Sequence, residues 1–406
     1  MRTSRWRGVT LGDLESESRG VIQTGPFGSQ LHASDYSEIG TPVVMPTNIR
    51  DLRVSEVGIA RVSEDHVDRL ARHTLQAGDV VYSRRGDVEK CALITEAQAG
   101  WLCGTGCLLV RVQGPTVDAR FLSYALALPS TRSWISQHAV GATMPNLNTE
   151  VLRAVPIRLP SIEEQQQIAS TLGALDDRID SNRRALATLA ELARATFVEW
   201  RTNQSSLRAT TFGEFADVFG GSTPKTGRPE FWDGQVAWAT PTDVTSLGAP
   251  YLYSTARKIT DEGLASCAVV LHPAGTIFMT SRASIGYFAV NEVPSATNQG
   301  FIAVRPKRTI DLWFVFEEMR SRVGEFIDHA NGSTFLEISR GTFKALPLLV
   351  PDDAAISSLQ SALTPLHSKA SQLVSETYEL VRLRDALLPE LLSGAVWIRG
   401  EGELIA

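Results

Sequence analysis

The 406-residue chain has little of what marks secreted, membrane or catalytic proteins. Its four cysteines are too few and too scattered for a disulfide framework. Cys103 and Cys107 stand close together, but Cys91 and Cys267 form no matching second pair. The spacing of a structural zinc site is therefore missing, and the thiols read as free and buried. No apolar run approaches the ~18 residues that span a bilayer. The opening "MRTSRWRGVTLGDLES" lacks the apolar stretch of a secretory signal. These absences lead to the expectation of a cytoplasmic protein with no membrane association.

Catalytic signatures are missing as well. No GxxxxGK[ST] phosphate loop occurs, and Gly104 and Gly106 lack the third glycine of a dinucleotide fingerprint. Neither G-x-S-x-G nor HExxH appears. No N-P-P-[YF] or D-P-P-Y segment is present to hold a target base for methyl transfer. The acid pairs Glu163–Glu164 and Asp176–Asp177 read as solvated charge on helix surfaces. His138 and His329 recur at equivalent places and read as turn residues. The expectation is a noncatalytic chain with no cofactor and no metal.

What is present is uneven charge and repetition. The net charge is −6. Residues 161–200 hold seven acids and four bases, and residues 351–406 hold eight and four. Acidity thus sits in two segments and leaves the remainder near neutral, able to present a locally basic face. The stretch "QHAVGATMPNLNTEVLRAVPIRLP" (137–160) matches "DHANGSTFLEISRGTFKALPLLVP" (328–351) at a constant offset, with His138/His329, Gly141/Gly332, Thr143/Thr334 and Pro156/Pro347 among the pairs. Upstream, "LGDL" (11–14) echoes "FGEF" (212–215), "PTNI" (46–49) echoes "PTDV" (241–244), "AGDVVYSRRG" (77–86) echoes "AGTIFMTSRA" (274–283), and "GTGCLLVR" (104–111) echoes "NQGFIAVR" (298–305). A repeat this long organises the chain as unit, helix, unit, helix.

The segments after each unit carry helical periodicity. Ser161-x-x-Glu164 is a capping box behind Pro160. Ile168, Leu172, Leu175, Ile179, Leu186 and Leu189 alternate in steps of four and three, a coiled-coil seam broken by an inward Asn182. The second seam runs through Leu359, Leu363, Leu366, Ala370, Leu373, Leu380 and Leu387, weakened by Thr377 and Arg384. Thr364-Pro365 predicts a kink or restart, and Pro389 a further break. Each helix must bury its apolar face, and the other helix offers the equivalent one. Antiparallel pairing would give a spacer of roughly 60 Å at most. The expected fold is α+β: two mixed α/β domains (1–158 and 204–349), separated by an antiparallel coiled coil of two long helices (159–203 and 350–406), with an internal pseudo-twofold repeat.

Loops in both units combine cations, amides and hydroxyls, the residue types that read base edges and phosphates. The candidate DNA-binding residues are Thr47, Asn48, Ser83, Arg84 and Arg85 in the first unit. In the second they are Lys225, Arg228, Thr242, Ser281, Arg282, Asn298 and Gln299.

"LPSIEEQQQIASTLGALDDRID" (159–180) with "LARATFVEW" (192–200) resembles the central region of specificity subunits of type I restriction–modification enzymes. "LRDALLPELLSGAV" (383–396) resembles that family's C-terminal region. "GGSTPKTGRPEFWDGQVAWATPTDV" (220–244) and "GATMPNLNTEVLRAVPIRLP" (141–160) resemble the opening and closing parts of its target-recognition domains. The resemblance covers nearly the whole chain. It implies two target-recognition domains, each reading half of an interrupted, asymmetric sequence in double-stranded DNA. It also implies helices that hold methyltransferase subunits, two in number, with restriction–translocase subunits joining for cleavage. Methylation and cleavage would then occur in those partners. The second helix departs from the pattern: "DDAAI" (352–356) replaces the "EEQ" of the first, which bears on equal docking of two methyltransferase copies. Two other readings stand beside this one: a coiled-coil scaffold that binds only protein, and a recognition chain for a fused methylase–nuclease.

Overall fold

The computed structural model describes residues 6–141, 145–332, 335–399 and 403–405. Thr143 and Thr334 of the repeat lie outside them. The chain divides into two compact units, Met1–Arg178 with Leu380–Ala406, and Ile179–Glu379.

Unit 1 is built on a four-stranded antiparallel sheet in the order Val21–Thr24, Cys107–Arg111, Val80–Ser83, Cys91–Leu93. Its two central strands are buried on both faces, so their period-two alternation feeds two cores rather than a core and solvent. Leu108, Val110, Val80 and Tyr82 face one core together with Phe121 and Leu122 of the helix Ala119–Ala127. Cys107, Leu109, Val81 and Ala92 face the other. A smaller sheet, Ala60–Val62, Thr41–Val44, Leu102–Cys103, mixes one antiparallel and one parallel pairing. Arg7–Thr10 pairs with Pro156–Leu159 and ties the start of the unit to its end. Cys91, Cys103 and Cys107 are buried, and Cys267 is half-buried. Burial pushes the Cys91 and Cys103 thiols up to about 12, so they behave as small apolar groups.

Unit 2 repeats this plan. Its sheet runs Ala216–Gly220, Phe301–Pro306, Ile277–Thr280, Phe288–Asn291, Tyr251–Leu252. Ile277, Met279, Ile302 and Val304 enter one core, and Phe278, Ala289, Phe301 and Ala303 the other. The smaller sheet is Arg257–Ile259, Trp232–Ala239, Ser295–Thr297, again with one antiparallel and one parallel pairing. Arg208–Thr211 pairs with Pro347–Val350. The repeat reaches single caps. Thr10 and Asp13 form a capping box at Leu11, and Thr211 and Glu214 form the same box at Phe212. His138 Nδ1 bonds Trp134 O, and His329 Nδ1 bonds Glu325 O, four residues back in each case. Both histidines thus finish a helix, as a turn role requires.

The two long helices are Ile162–Thr202 and Asp353–Ser393. Each contributes part of its length to each unit. Ser161 Oγ accepts the Glu164 N–H at 3.3 Å, which caps the first. Within unit 2, Asn182 Nδ2 donates to Thr377 Oγ1 at 3.3 Å, and Trp200 Nε1 donates to Ala355 O at 3.2 Å. One index rises as the other falls, so the helices run antiparallel there. Within unit 1, Ile168, Ala169 and Leu172 share a core with Leu388, Leu391 and Leu392. Along the seam Ile168, Leu172, Ile179, Leu363 and Leu373 are buried, and Leu175, Leu186, Leu189, Leu366 and Leu380 are half-buried.

Three expectations need correction. The second helix neither restarts at Pro365 nor ends at Pro389; both lie inside Asp353–Ser393. A proline inside a helix costs about 3 kcal/mol, and here buried neighbours offset it: Leu359, Leu363, Leu373 and Val374 around the first, Leu388, Leu391 and Leu392 around the second. Asp176 is not on a solvated surface but 5% exposed, while Asp177 faces solvent. Arg384 and Thr377 do not weaken the seam as unpartnered polar groups; each meets a buried polar partner on the first helix. No helix among the described residues is long and apolar enough to cross a membrane.

Candidate nucleic-acid interface

In each unit the loops that leave one edge of the sheets are sewn together by backbone hydrogen bonds. In unit 1 the strand Val80–Ser83 ends at Arg84, whose N–H donates to Gly106 O at 2.7 Å. Its carbonyl accepts from Leu147 N at 2.8 Å, and Gly86 N donates to Pro145 O. Gly104 N donates to Val44 O at 2.9 Å, which brings in the Pro46–Asn48 turn. Unit 2 makes the same stitches: Ser281 N to Gly300 O, Ile338 N to Ser281 O, Ala283 N to Leu336 O, and Asn298 N to Ala239 O. A further loop joins each set. A Cβ on Gly25 would come within 2.1 Å of Gly104 O, and one on Gly221 within 1.9 Å of Asn298 O. Only glycine permits these approaches.

This edge collects the polar candidates of each unit, but in three different conditions. Thr47, Arg85, Lys225, Arg228, Thr242, Arg282 and Gln299 are exposed, and Arg84 and Asn298 are half-buried. Asn48, Ser83 and Ser281 are 2%, 1% and 2% exposed. For these three the expectation of base contact is corrected. A buried side chain offers no edge to a groove. Asn48 Oδ1 accepts from Met45 N and its Nδ2 donates to Ser55 O, so it shapes the turn that presents Thr47. Ser83 Oγ donates to Arg85 O and shapes the next loop.

The cations differ in availability. Arg85 and Lys225 carry no ion pair among the described residues. Arg228 is held by Glu230. Arg282 is paired with Glu337 at 2.8 Å, and the ion pair raises its affinity for its proton. Arg282 must exchange that carboxylate for another acceptor before it can bind one. Arg85 and Arg282 are structural equivalents: each forms a bridge to the residue of its own return segment, Asn146 in one unit and Glu337 in the other. Arg84 lies 5.5 Å above the exposed Phe27 ring. Phe27 escaped the sequence reading because "GPFG" (25–28) carries no cation. Its one signal was a glycine placed where "GGSTPK" has its second.

Left-handed backbone marks the turn after these arginines. Gly86 has φ 75° and Ala283 has φ 57°. A Cβ on Gly86 would meet nothing within 4 Å. Gly86→Ala should therefore fold normally and lose only about 1–2 kcal/mol of stability, the left-handed penalty of an L-residue. A thermal melt checks this, since Ala283 already tolerates the position.

The type I restriction modification DNA specificity domain family matches residues 29–191 and again 209–369. The MjaIX specificity subunit of Methanocaldococcus jannaschii is 35% identical over 140 residues, 34% of this chain and 32% of that protein. The chain thus matches about a third of that relative's length. The HindI specificity subunit of Haemophilus influenzae is 19% identical over 97% of this chain and 100% of its own length. A crystal structure of a type I restriction–modification S subunit from M. genitalium shares the fold, with TM-score 0.61 and 16% identity, over 95% of this chain and 96% of that one.

Proposed function

From the premise that the chain belongs to the type I restriction modification DNA specificity family, we propose that it is the DNA sequence-specificity subunit of a type I restriction–modification complex. It carries out no chemistry itself and works in the cytoplasm. Unit 1 reads one short sequence, unit 2 reads another, and unread bases separate them. The two long helices seat the methyltransferase subunits, two in number, and restriction–translocase subunits join that assembly.

One observation carries this reading: the same stitched edge occurs twice on one backbone plan with different side chains on it. The half-buried Arg84 in the first edge stands where the second has only the buried Ser281, and Asn146 stands where the second has Glu337. Equal scaffolds position the DNA alike, and unequal side chains read unequal base edges. That combination suits an asymmetric, bipartite target.

Methylation-site sequencing of genomic DNA from cells with and without the gene tests it. The expected result is loss of one split motif carrying methylated adenine in both halves. Loss of a continuous palindrome instead would defeat the two-edge reading. Within the assembled complex, Arg85→Ala and Arg282→Ala should each lower affinity by about 1–3 kcal/mol and relax specificity in one half only. Measuring binding to duplexes altered in each half checks which half responds.

A further inference from the structure

In unit 2 the strand Arg257–Ile259 runs antiparallel to Trp232–Ala239, with Arg257 directly opposite Trp238. The Arg257 guanidinium carbon lies 3.6 Å from the Trp232 ring centre and 5.6 Å from that of Trp238. The two indoles meet edge to face. Both are buried, yet Arg257 is exposed. It has no ion pair among the described residues, whereas Arg201, Arg228, Arg282, Arg305, Arg308, Arg320 and Arg322 of the same unit each hold a carboxylate. Asp243, which reaches the neighbouring backbone, is engaged: it accepts from Ala256 N, Thr240 N and Thr240 Oγ1.

The same two tryptophans also fix a loop of the candidate interface. Trp238 Nε1 donates to Ser222 O at 3.1 Å, and Trp232 Nε1 donates to Lys225 O at 3.3 Å. The exposed, unpaired Lys225 is thereby held beside the platform on which Arg257 is stacked. Stacking on indole faces restrains the guanidinium while leaving its N–H edge open, a form suited to bidentate contact with phosphate. Lys258, next in the chain, points to the other face of the sheet.

We propose that Arg257, held on the Trp232–Trp238 platform beside Lys225, is a DNA-phosphate anchor that docks the backbone of the half-site read by unit 2. The inference rests on the function proposed above. It adds a site that acts on every sequence alike, since phosphate contacts position the duplex without reading it. Among its described residues unit 1 has no counterpart. At the corresponding pairing Val43 faces Ala60, neither an aromatic ring nor a cation. The anchor therefore belongs to one half of the target only.

The test is binding of the full chain, co-expressed with its methyltransferase subunits, to a cognate duplex and to a duplex of arbitrary sequence across a KCl series. Arg257→Gln keeps a planar group on the indoles and removes the charge. It should make the log–log salt slope shallower by about 0.9 and weaken both duplexes by the same factor, roughly tenfold for a charge-assisted contact. Arg257→Ala should give the same slope as Arg257→Gln, and Arg257→Lys should keep the wild-type slope. Lys258→Ala should leave it unchanged. A wild-type slope in Arg257→Gln, or a loss confined to the cognate duplex, overturns the anchor and leaves the function standing. A wild-type complex that binds neither duplex overturns the function, and the anchor with it.

Discussion

Replacing Asp176 with alanine should cost unit 1 about 3–5 kcal/mol, the usual penalty for removing one partner of a buried ion pair. Asp176 lies on the first long helix and accepts from two directions. The Tyr124 hydroxyl donates to one carboxylate oxygen at 2.5 Å, and Arg384 Nη1 donates to the other at 3.0 Å. Tyr124 belongs to the helix Ala119–Ala127 beneath the sheet, and Arg384 to the second long helix. One carboxylate thus joins three elements of unit 1. Its loss strands a buried phenol and leaves Arg384, among the described residues, with the exposed Asp385. Asp177 is the control. It pairs with Arg120 but is 61% exposed, and an exposed pair contributes under about 1 kcal/mol. Urea unfolding with hydrogen exchange at residues 119–127 and 380–393 separates the two variants. Equal losses for Asp176→Ala and Asp177→Ala would refute the three-way clamp.

Acidification should destabilise both units between about pH 6.5 and pH 4. Burial pushes His73 and His272 down to about 4 and His367 down to about 3, with Arg72, Arg305 and Arg320 adding repulsion in turn. Each is at most 4% exposed. The ordinary histidine value is near 6.5, so the unfolded chain takes up these protons first. Stability is therefore complete above 6.5 and is lost as pH falls toward the folded values. The loss is on the order of 3 kcal/mol per histidine. Groups facing His367 do not rescue it. Glu317 lies 3.8 Å away, but burial raises its own proton affinity and Arg320 already holds it. Tyr251 hydrogen-bonds Nδ1. His272 offers the sharper test, because neither ring nitrogen has a hydrogen-bond partner among the described residues, and Phe219 and Phe278 lie against the ring. His272→Leu should be neutral or stabilising at pH 7 and should flatten the acid limb. Denaturant unfolding across pH 4–7.5 reads both effects. An unchanged limb in His272→Leu would remove this histidine from the account.

The duplication, both long helices and the seam were legible in the sequence because they depend on periodicity and on matching apolar positions. Ile168 and Leu172 on one helix and Leu359 and Leu363 on the other are buried. The polar contents of the seam were not legible. Asp176, Thr377 and Arg384 read as surface charge or as defects, since a sequence shows polarity without showing its partner. Pro365 and Pro389 misled for the reverse reason: local propensity was clear, and packing overrode it. The candidate interface was half visible. Exposed cations such as Arg85 and Lys225 were named from chemistry. The buried Asn48, Ser83 and Ser281 carry amides and hydroxyls like those of the exposed Gln299, Thr47 and Thr242, and differ from them in direction. The stitching that gathers the loops is made of backbone N–H and C=O groups, which leave no trace in residue identity. Arg257 was missed because its two tryptophans lie some twenty residues upstream.

The way the units are cut from the chain imposes an order of assembly. Unit 2 is one uninterrupted stretch, Ile179–Glu379, while unit 1 needs Met1–Arg178 and a second piece beginning at Leu380. Domains emerge from the ribosome N-terminal end first, at roughly 5–20 residues per second. The earlier-made body therefore completes the core that Ile168 and Leu172 share only when Leu388, Leu391 and Leu392 arrive. The later-made body can close before it. Synthesis thus leaves that core incomplete on the nascent chain for on the order of ten seconds or more, a window in which a chaperone or a second nascent copy has its best access.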